Sequence, residues 1–411
     1  SSHFGSGGWV FHRLWGAAAA GAEPPAFEAM GERSCVLILA KPDRCSDCKV
    51  LVEEARLCPV VALTTAEALR NLHELGAGQL AAVICALGRG RDDSCWPLLS
   101  ELRAAAFRRT FVIVLSYTAA RDARTRLDCF DAGARMVTAS LRDAGVALRR
   151  AALVLRSPGP YRCPACALPS LSEDGLHLHM HFHHATDPNE GGVCPVCAAR
   201  VGNLAMHLHN EHGPPEEREL AAAPYAAFAW CVCQRPSDAK FLLVNEPAGI
   251  SGGRPGYWLP AGRLDRGEGF VEACRREALE EAGVAVRVTG LLRLMVDGRG
   301  TIRAVLLAAP EDERDCEPKS VPDWESVGAV WADVSELDKL SDGDYRSPDP
   351  ADLYPKVARG ELRPQPLDTD AFRELEALMR RLTSGDAAAS PELPGVLARL
   401  QAAYPRSVFR R

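Results

Sequence analysis

The chain has 411 residues, 48 Lys and Arg against 54 Asp and Glu, a formal charge of −6 and a pI near 6.0. That balance argues against a general nucleic-acid binder, and no run approaches the roughly 18 apolar residues that suggest a transmembrane helix. The length suits two to four domains, and fifteen cysteines without a repeating framework suit a reducing cytoplasm or nucleus better than secretion.

Residues 1–33 read as a disordered N-terminal segment. Their WVFHRLWGAAAAGAEPP run is too weak for a signal peptide, and the missing initiator Met is compatible with a fragment. From 34 to 155 apolar strand runs alternate with helical runs. SCVLILA (34–40), AAVICAL (81–87), FVIVLSYTA (111–119) and ARMVTAS (134–140) are the strands, with helices such as CKVLVEEARL and WPLLSELRAAA between them. The alternation predicts a doubly wound parallel sheet. The layout resembles a response-regulator receiver, carried best by VLSYTAARDARTRLDCFDAGARMVTAS, with Ser116 at that family's hydroxyl switch position. The receiver's catalytic set does not carry over. Ala40 and Lys41 stand where an acidic pair is expected, with only Asp43 nearby; Cys85 or Ala86 replaces the phosphoacceptor aspartate; the lysine position falls near Ala139. The expectation is a pseudo-receiver without Mg2+ or acyl-phosphate chemistry, serving interaction or regulation. Cys45 and Cys48 form a CxxC without a second pair in register and read as ordinary reduced thiols.

Residues 160–213 carry CPAC and CPVC, each followed by paired histidines. Cys163 and Cys166 precede His179 and then His183 or His184; Cys194 and Cys197 precede His207 and His212. These are Cys2His2 zinc spacings. His184 is preferred because it gives H-x4-H in both units, although His177, His181 and His209 lie in the same runs. The strings YRCPAC, GLHLHMHFHH and GGVCPVCAARVGNLAMHLHNEHG resemble the drought-induced-19 type of zinc-binding domain. That family includes proteins linked to nucleic-acid binding and to protein partners. Only Arg162 and Arg200 are basic between Tyr161 and Gly213, so nucleic-acid binding is expected to be weak and protein docking favoured. The Pro- and Glu-rich run 214–223 reads as a linker.

Gly262 to Val284 read GRLDRGEGFVEACRREALEEAGV. Phe270 to Ala282 lack proline and end at Gly283, which predicts a helix. Glu277, Glu280 and Glu281 sit at i, i+3 and i+4 and so share a face. Val271, Cys274, Ala278 and Ala282 form an apolar stripe to dock on a sheet. Clustered carboxylates repel, and a hard cation such as Mg2+ or Mn2+ relieves the repulsion while neutralising phosphates. The flanks AAFAWCVCQ, FLLVNE, YWLPAGR, VAVRVTGLLRLMV, TIRAVLLAAP and VGAVWADVSEL read as strands and connections, and FRELEALMRRLTSG as a second helix. The stretch fits G-x5-E-x7-R-E-U-x-E-E-x-G-U with Ala278 as a soft departure. It resembles the Nudix hydrolases, and the resemblance covers about 222–385.

That resemblance implies an α/β/α sandwich, expected at 224–385, cleaving a nucleoside diphosphate linked to another moiety. It also implies metal ligation by Glu277, Glu280 and Glu281, an auxiliary acid at Glu268, a backbone carbonyl or unusual turn at Gly262, and an orienting ion pair from Arg276. Glu325 is the candidate further acid from a later loop, with Glu317 and Asp323 behind it. The general base stays open. WLPAGR, the GE at 267–268, the EEAG ending and the later AVW are similar to the 8-oxo-dGDP phosphatase branch, and Tyr257, Trp258 and Trp324 are candidate purine-stacking residues. Residues 386–411 read as a loose tail. The leading expectation is a multidomain α/β protein: receiver-like sheet, tandem zinc module and Nudix sandwich, using Mg2+ or Mn2+ and two structural Zn2+ ions. Expected partners are a nucleotide substrate and a protein docked on the zinc module or pseudo-receiver, without membrane. The alternative is a zinc-dependent adaptor, protein- or nucleic-acid-binding, that uses the Nudix fold as a ligand sensor.

Overall fold

The computed structural model describes residues 35–87, 95–187, 191–214, 223–247, 255–297 and 300–410. The expected N-terminal segment 1–33, and most of the expected linker at 214–223, lie outside these residues.

The first domain contains β1 (Cys35–Ala40), α1 (Pro42–Glu54), β2 (Cys58–Ala62), α2 (Thr65–Gln79), β3 (Leu80–Ala86), α3 (Trp96–Leu102), β4 (Phe111–Leu115), α4 (Ala123–Asp131), β5 (Met136–Thr138) and α5 (Leu141–Leu155). The strands pair in parallel in the order β2-β1-β3-β4-β5. Strands buried on both faces have no need to alternate in polarity, which is why β3 and β4 are almost wholly apolar. The helices start on side-chain caps: Thr64, Asp122 and Ser140 accept from the N–H groups of Glu67, Thr125 and Asp143. Ala40 and Ala86 end β1 and β3, Ser116 is buried beyond β4 accepting from Ala119 N–H at 3.2 Å, and Asp43 is exposed. Cys48 packs in the core, where burial pushes its thiol up to about 11. Neither Cys45 nor Cys48 joins a ligand cluster among the described residues.

The second region has α6 (Glu173–His183), the hairpin β6 (Gly192–Val193) and β7 (Arg200–Val201), and α7 (Leu204–His212). Both CPxC segments make the same knuckle. Ala167 N–H donates to Cys163 O and Ala198 N–H to Cys194 O, and both alanines take positive φ. This region packs on the parallel sheet. Phe182 stacks on Phe111 with centroids 4.0 Å apart, and Arg109 donates to Cys166 O and Ala167 O at 2.9 and 2.8 Å.

The third region has β8 (Ala227–Cys233), β9 (Phe241–Glu246), β10 (Gly256–Trp258), β11 (Ala261–Arg263), α8 (Phe270–Ala282), β12 (Val286–Val296), β13 (Ile302–Pro310), β14 (Gly328–Ala332), α9 (Val334–Leu337), α10 (Asp349–Ala358), α11 (Asp370–Ser384), α12 (Leu393–Ala403) and β15 (Phe409–Arg410). Two sheets, β11-β8-β13-β12-β15 and β10-β9-β14, flank the central helix α8. Phe270, Ala273, Cys274, Ala278 and Ala282 of α8 are fully buried with α11 and α12 in one core, while Val271 is half-buried at its edge. Gly283 closes α8 at φ 70, a left-handed conformation in which a Cβ would be strained.

The tail expectation at 386–411 needs correction. Val396 and Leu400 of α12 are buried against α11, and β15 pairs in parallel with Leu294 and Met295. The helix has Pro394 in its first turn and no side-chain cap bond; it is held by tertiary packing.

Candidate active site

α8 brings Glu277, Glu280 and Glu281 to the edge of β11, and the loop before β14 brings Glu325 towards them. Glu277 and Glu281 are each 6% exposed, whereas the Glu280 side chain is 41% exposed. Burial pushes the Glu277 carboxyl up to about 7, against the pull of Arg276 and with a further push from Glu280. Burial raises Glu281 well above the carboxylate range, helped by Glu246, Glu277 and Glu325. Glu280 is raised by burial, with Arg276 opposing. Glu325 is pushed up to about 8 by burial, then by Asp323. These carboxyls feel one another, so the loop acid faces the helix acids.

Arg276 is the organising cation. It grips Glu268 with two bonds of 3.0 Å, donates to Glu277 at 2.8 Å and Glu280 at 2.9 Å, and reaches Arg263 O at 2.9 Å. A bidentate guanidinium fixes the Glu268 carboxylate in plane as well as in distance. Glu281 accepts from Ala261 N–H at 3.0 Å, and Ser326 Oγ donates to Glu281 O at 2.5 Å, tying the Glu325 loop to the helix end.

Gly262 lies within strand β11, outside the positive-φ positions, so the expected unusual turn is absent. Its demand is steric: a Cβ there would sit 1.9 Å from Glu277 Oε1. Glu317 is not brought to the site; it pairs with Arg121 at 3.0 Å. Asp323 organises the loop, accepting from Glu325 and Ser326 N–H and from Lys319 Nζ. Glu246 was not legible in the sequence as a site neighbour. It is 4% exposed, ion-paired to Arg346, and pushed up to about 7 by burial. Its only signal was an acid closing the apolar run FLLVNE.

Two of the three aromatic candidates are committed elsewhere. Tyr257 is fully buried, with its hydroxyl donating to Ala123 O at 3.1 Å, so neither ring face can meet a base. Trp324 lies flat on His209, ring centroids 3.8 Å apart at 4°, which covers one face. Trp258 is half-buried, with Trp230 at its edge, Arg346 over its ring and its indole N–H on Asp349.

Every acidic donor in this cleft is a carboxylate oxygen, a set suited to a hard divalent cation and unsuited to a soft one. The zinc candidates gather more closely; the four carboxylates are not among the donor groups brought within 4.8 Å of one another in the described residues. Donor atoms of Cys163, Cys166, His179 and His184 lie within 4.8 Å of one another, as do those of Cys194, Cys197, His207 and His212. His183 points away, with Nε2 on Arg108 O at 2.9 Å. His184 Nδ1 meets Asp187 at 2.7 Å and His212 Nδ1 meets Glu173 at 2.8 Å, the outer contacts that orient an imidazole ligand. The bond to Cys163, followed by His179 and His184, holds the Cys166 thiol far down, and the Ala199 N–H, then His212, bring Cys197 to about 6. Thiolate beside imidazole is a zinc-binding donor set.

A NUDIX domain model matches residues 225–354, and a model described as drought induced 19 protein (Di19), zinc-binding, matches residues 160–213. "Putative nudix hydrolase 1" of Caenorhabditis elegans is 33% identical over 113 residues, 28% of this chain and 30% of that protein. "8-oxo-dGDP phosphatase NUDT18" of Homo sapiens is 40% identical over 92 residues, 22% of this chain and 28% of that protein. The matches therefore span less than a third of these relatives' length. Among solved structures, a NUDIX hydrolase from Nitrosomonas europaea is 24% identical and matches 35% of this chain and 94% of that one, with a TM-score of 0.27. The chain thus contains a Nudix domain preceded by a drought-induced-19-type zinc-binding domain.

Proposed function

We propose that the chain is a divalent-cation-dependent Nudix hydrolase that cleaves a phosphoanhydride bond of a nucleoside diphosphate derivative, with oxidised purine nucleoside diphosphates of the 8-oxo-dGDP type as the first substrates to test. The observation that carries this is the convergence of Glu277, Glu280, Glu281 and Glu325 beside the Arg276–Glu268 pair. Four mutually repelling carboxyls in one partly desolvated cleft are costly without a cation, and such groups cluster at functional sites.

Glu277, Glu280 and Glu281, with Glu325 and the Gly262 carbonyl, would hold Mg2+ or Mn2+. When bound, the cation neutralises substrate phosphate oxygens and acidifies a water. Arg276 keeps Glu268 and Glu277 in fixed orientations, and Ala261 N–H orients Glu281. In the reaction the water oxygen bonds to phosphorus, the anhydride P–O bond breaks, and a carboxylate of this group takes the water's proton. Trp258, beside Arg346, is the aromatic candidate left to flank a base. The human relative's printed name and the WLPAGR lead-in support the oxidised-purine assignment.

The zinc-binding domain would hold two structural Zn2+ ions, at Cys163, Cys166, His179 and His184, and at Cys194, Cys197, His207 and His212. With the receiver-like domain it serves positioning and protein docking. Fifteen cysteines without a repeating framework support a reducing cytoplasm or nucleus. The test is a Mg2+ screen for hydrolysis, read by chromatography of the nucleotide products, of 8-oxo-dGDP, 8-oxo-dGTP, ADP-ribose, nucleotide sugars, dinucleoside polyphosphates and capped RNA, with Glu281→Gln as control. Preferential Glu281-dependent turnover of 8-oxo-dGDP supports the proposal; preference for another compound moves the substrate assignment, and no Glu281-dependent turnover overturns the enzyme reading.

A further inference from the structure

The zinc-binding domain holds a third group of donors. His177 and His181 lie one helical turn apart on α6 and share a face. His209 of α7 meets that face. The three rings are 5%, 7% and 2% exposed, and a nitrogen from each lies within 4.8 Å of the others. His177 Nε2 and His209 Nδ1 are 3.3 Å apart. His181 Nε2 is buried with no hydrogen-bond partner among the described residues. Gly213 backs the cluster: a Cβ there would come within 3.0 Å of His177 Nε2.

We propose that His177, His181 and His209 form a third metal site, distinct from the two Cys2His2 clusters, that takes a borderline transition ion such as Zn2+, Co2+ or Ni2+. Two nitrogens bound at the ~2.0–2.1 Å typical of zinc–imidazole contacts stand roughly 3.3–3.4 Å apart in a tetrahedron, which is the spacing of the His177–His209 pair. Direct hydrogen bonding accounts for that pair and leaves His181 Nε2 desolvated with no partner; a shared ion satisfies all three. The site has neither thiolate nor carboxylate, so it disfavours Mg2+ and Ca2+ and differs from its neighbours in ligand field. Three histidines leave the fourth tetrahedral position to water, an arrangement with an open coordination place.

Trp324 links this site to the carboxylate cleft. Its indole lies flat on His209 at 3.8 Å and edge-on to His181 at 4.8 Å, and the next residue is Glu325. An ion that fixes the His209 ring fixes the surface on which Trp324 rests, and so steadies the loop that carries Glu325. The site itself does not depend on the hydrolase assignment.

The test counts metal on the full chain. With excess Mg2+ present to fill the carboxylate cleft, the chain is titrated with Co2+ and then desalted for elemental analysis. Three tightly held equivalents are expected: two that raise thiolate-to-cobalt charge-transfer absorbance, and a third that adds ligand-field absorbance alone and changes Trp fluorescence. His181→Phe keeps a ring in the cavity and should lower the count to two with the charge-transfer bands intact; His209→Gln, on the other helix, should do the same. Saturation at two equivalents in the unsubstituted chain overturns the proposal, as does a third equivalent that persists in both variants.

Discussion

Gly262→Ala is the sharpest perturbation of the carboxylate cleft, because the substitution adds one methyl group and removes no functional atom. The new Cβ would sit 1.9 Å from Glu277 Oε1, 2.2 Å from its Cδ and 2.6 Å from Oε2. Real Cβ contacts stay beyond 3.0 Å, so the carboxylate must retreat by about 1 Å. It cannot do so freely, since Arg276 holds it at 2.8 Å while also gripping Glu268 and Glu280. A misplacement of about 1 Å in a catalytic array costs roughly 100-fold in rate, equivalent to about 2.7 kcal/mol of transition-state stabilisation. The expected stability loss is that of modest overpacking, about 1–3 kcal/mol. The assay is steady-state turnover of the best substrate across a Mg2+ series, beside thermal unfolding. The expected result is a large fall in kcat, a rise in the Mg2+ concentration for half-activation and a folded protein. Adding Glu277→Asp, which shortens the blocking side chain, should recover part of the Mg2+ response in a double-mutant cycle. Gly262→Ala activity within about threefold of the parent, at unchanged Mg2+ dependence, would refute the reasoning.

Glu281→Gln should abolish turnover while leaving unfolding without divalent cation unchanged or slightly later, because it replaces a buried carboxyl that burial, Glu246 and Glu277 already disfavour as an anion with a neutral amide of the same shape; a clear loss of stability in calorimetry would contradict that. The raised carboxyls set a pH signature without added cation. Stability from keeping them neutral is full below the ordinary value of 4.5 and is lost as pH rises through about 7 for Glu277 and about 8 for Glu325. Mg2+ should therefore raise the unfolding temperature more at about pH 9 than at about pH 6, and the reverse order would sink the assignment. Phe182→Ala, which removes a ring stacked 4.0 Å from Phe111, should cost roughly 3–5 kcal/mol and speed hydrogen exchange in β4 as well as α6. Exchange confined to α6 would mean that the two domains are not packed together in solution.

The sequence carried most where chemistry depends on local spacing. The i, i+3, i+4 glutamates, the Gly283 stop and the buried stripe of α8 are properties of one helix, and the structure places them as the period demands. The parallel sheet was legible because strands buried on both faces must be nearly continuous apolar runs. The choice of His184 over His183 rested on spacing alone, yet the structure puts His184 among the donors and turns His183 to Arg108. What failed depends on contacts between distant segments. An acid at a strand end, such as Glu246, looks the same in sequence whether solvated or paired with Arg346. An aromatic beside a catalytic box looks the same whether it meets substrate or, like Tyr257, packs beneath another domain. The stripe on α12 was too short and too poorly capped to stand out, although its leucine and valine are buried.

The loop between β13 and β14 touches all three regions of the chain. Its Glu317 pairs with Arg121, Ser320 Oγ lies 2.8 Å from Thr138 Oγ1 and donates to Asp143 Oδ2 at 2.7 Å, and Pro322 O accepts from Arg150 at 3.1 Å. Trp324 rests on His209, and Ser326 ties to the end of α8. Glu325 is thus delivered by a segment gripped by the receiver-like domain on one side, the zinc-binding domain on another and α8 on a third. A carboxylate on an unsupported loop would lose conformational freedom each time it met a ligand, whereas one held in advance has already lost it. The receiver-like sheet contributes physically here. Thr138, at the carboxyl end of β5, and Asp143, in the first turn of α5, anchor the loop of a neighbouring site instead of forming their own.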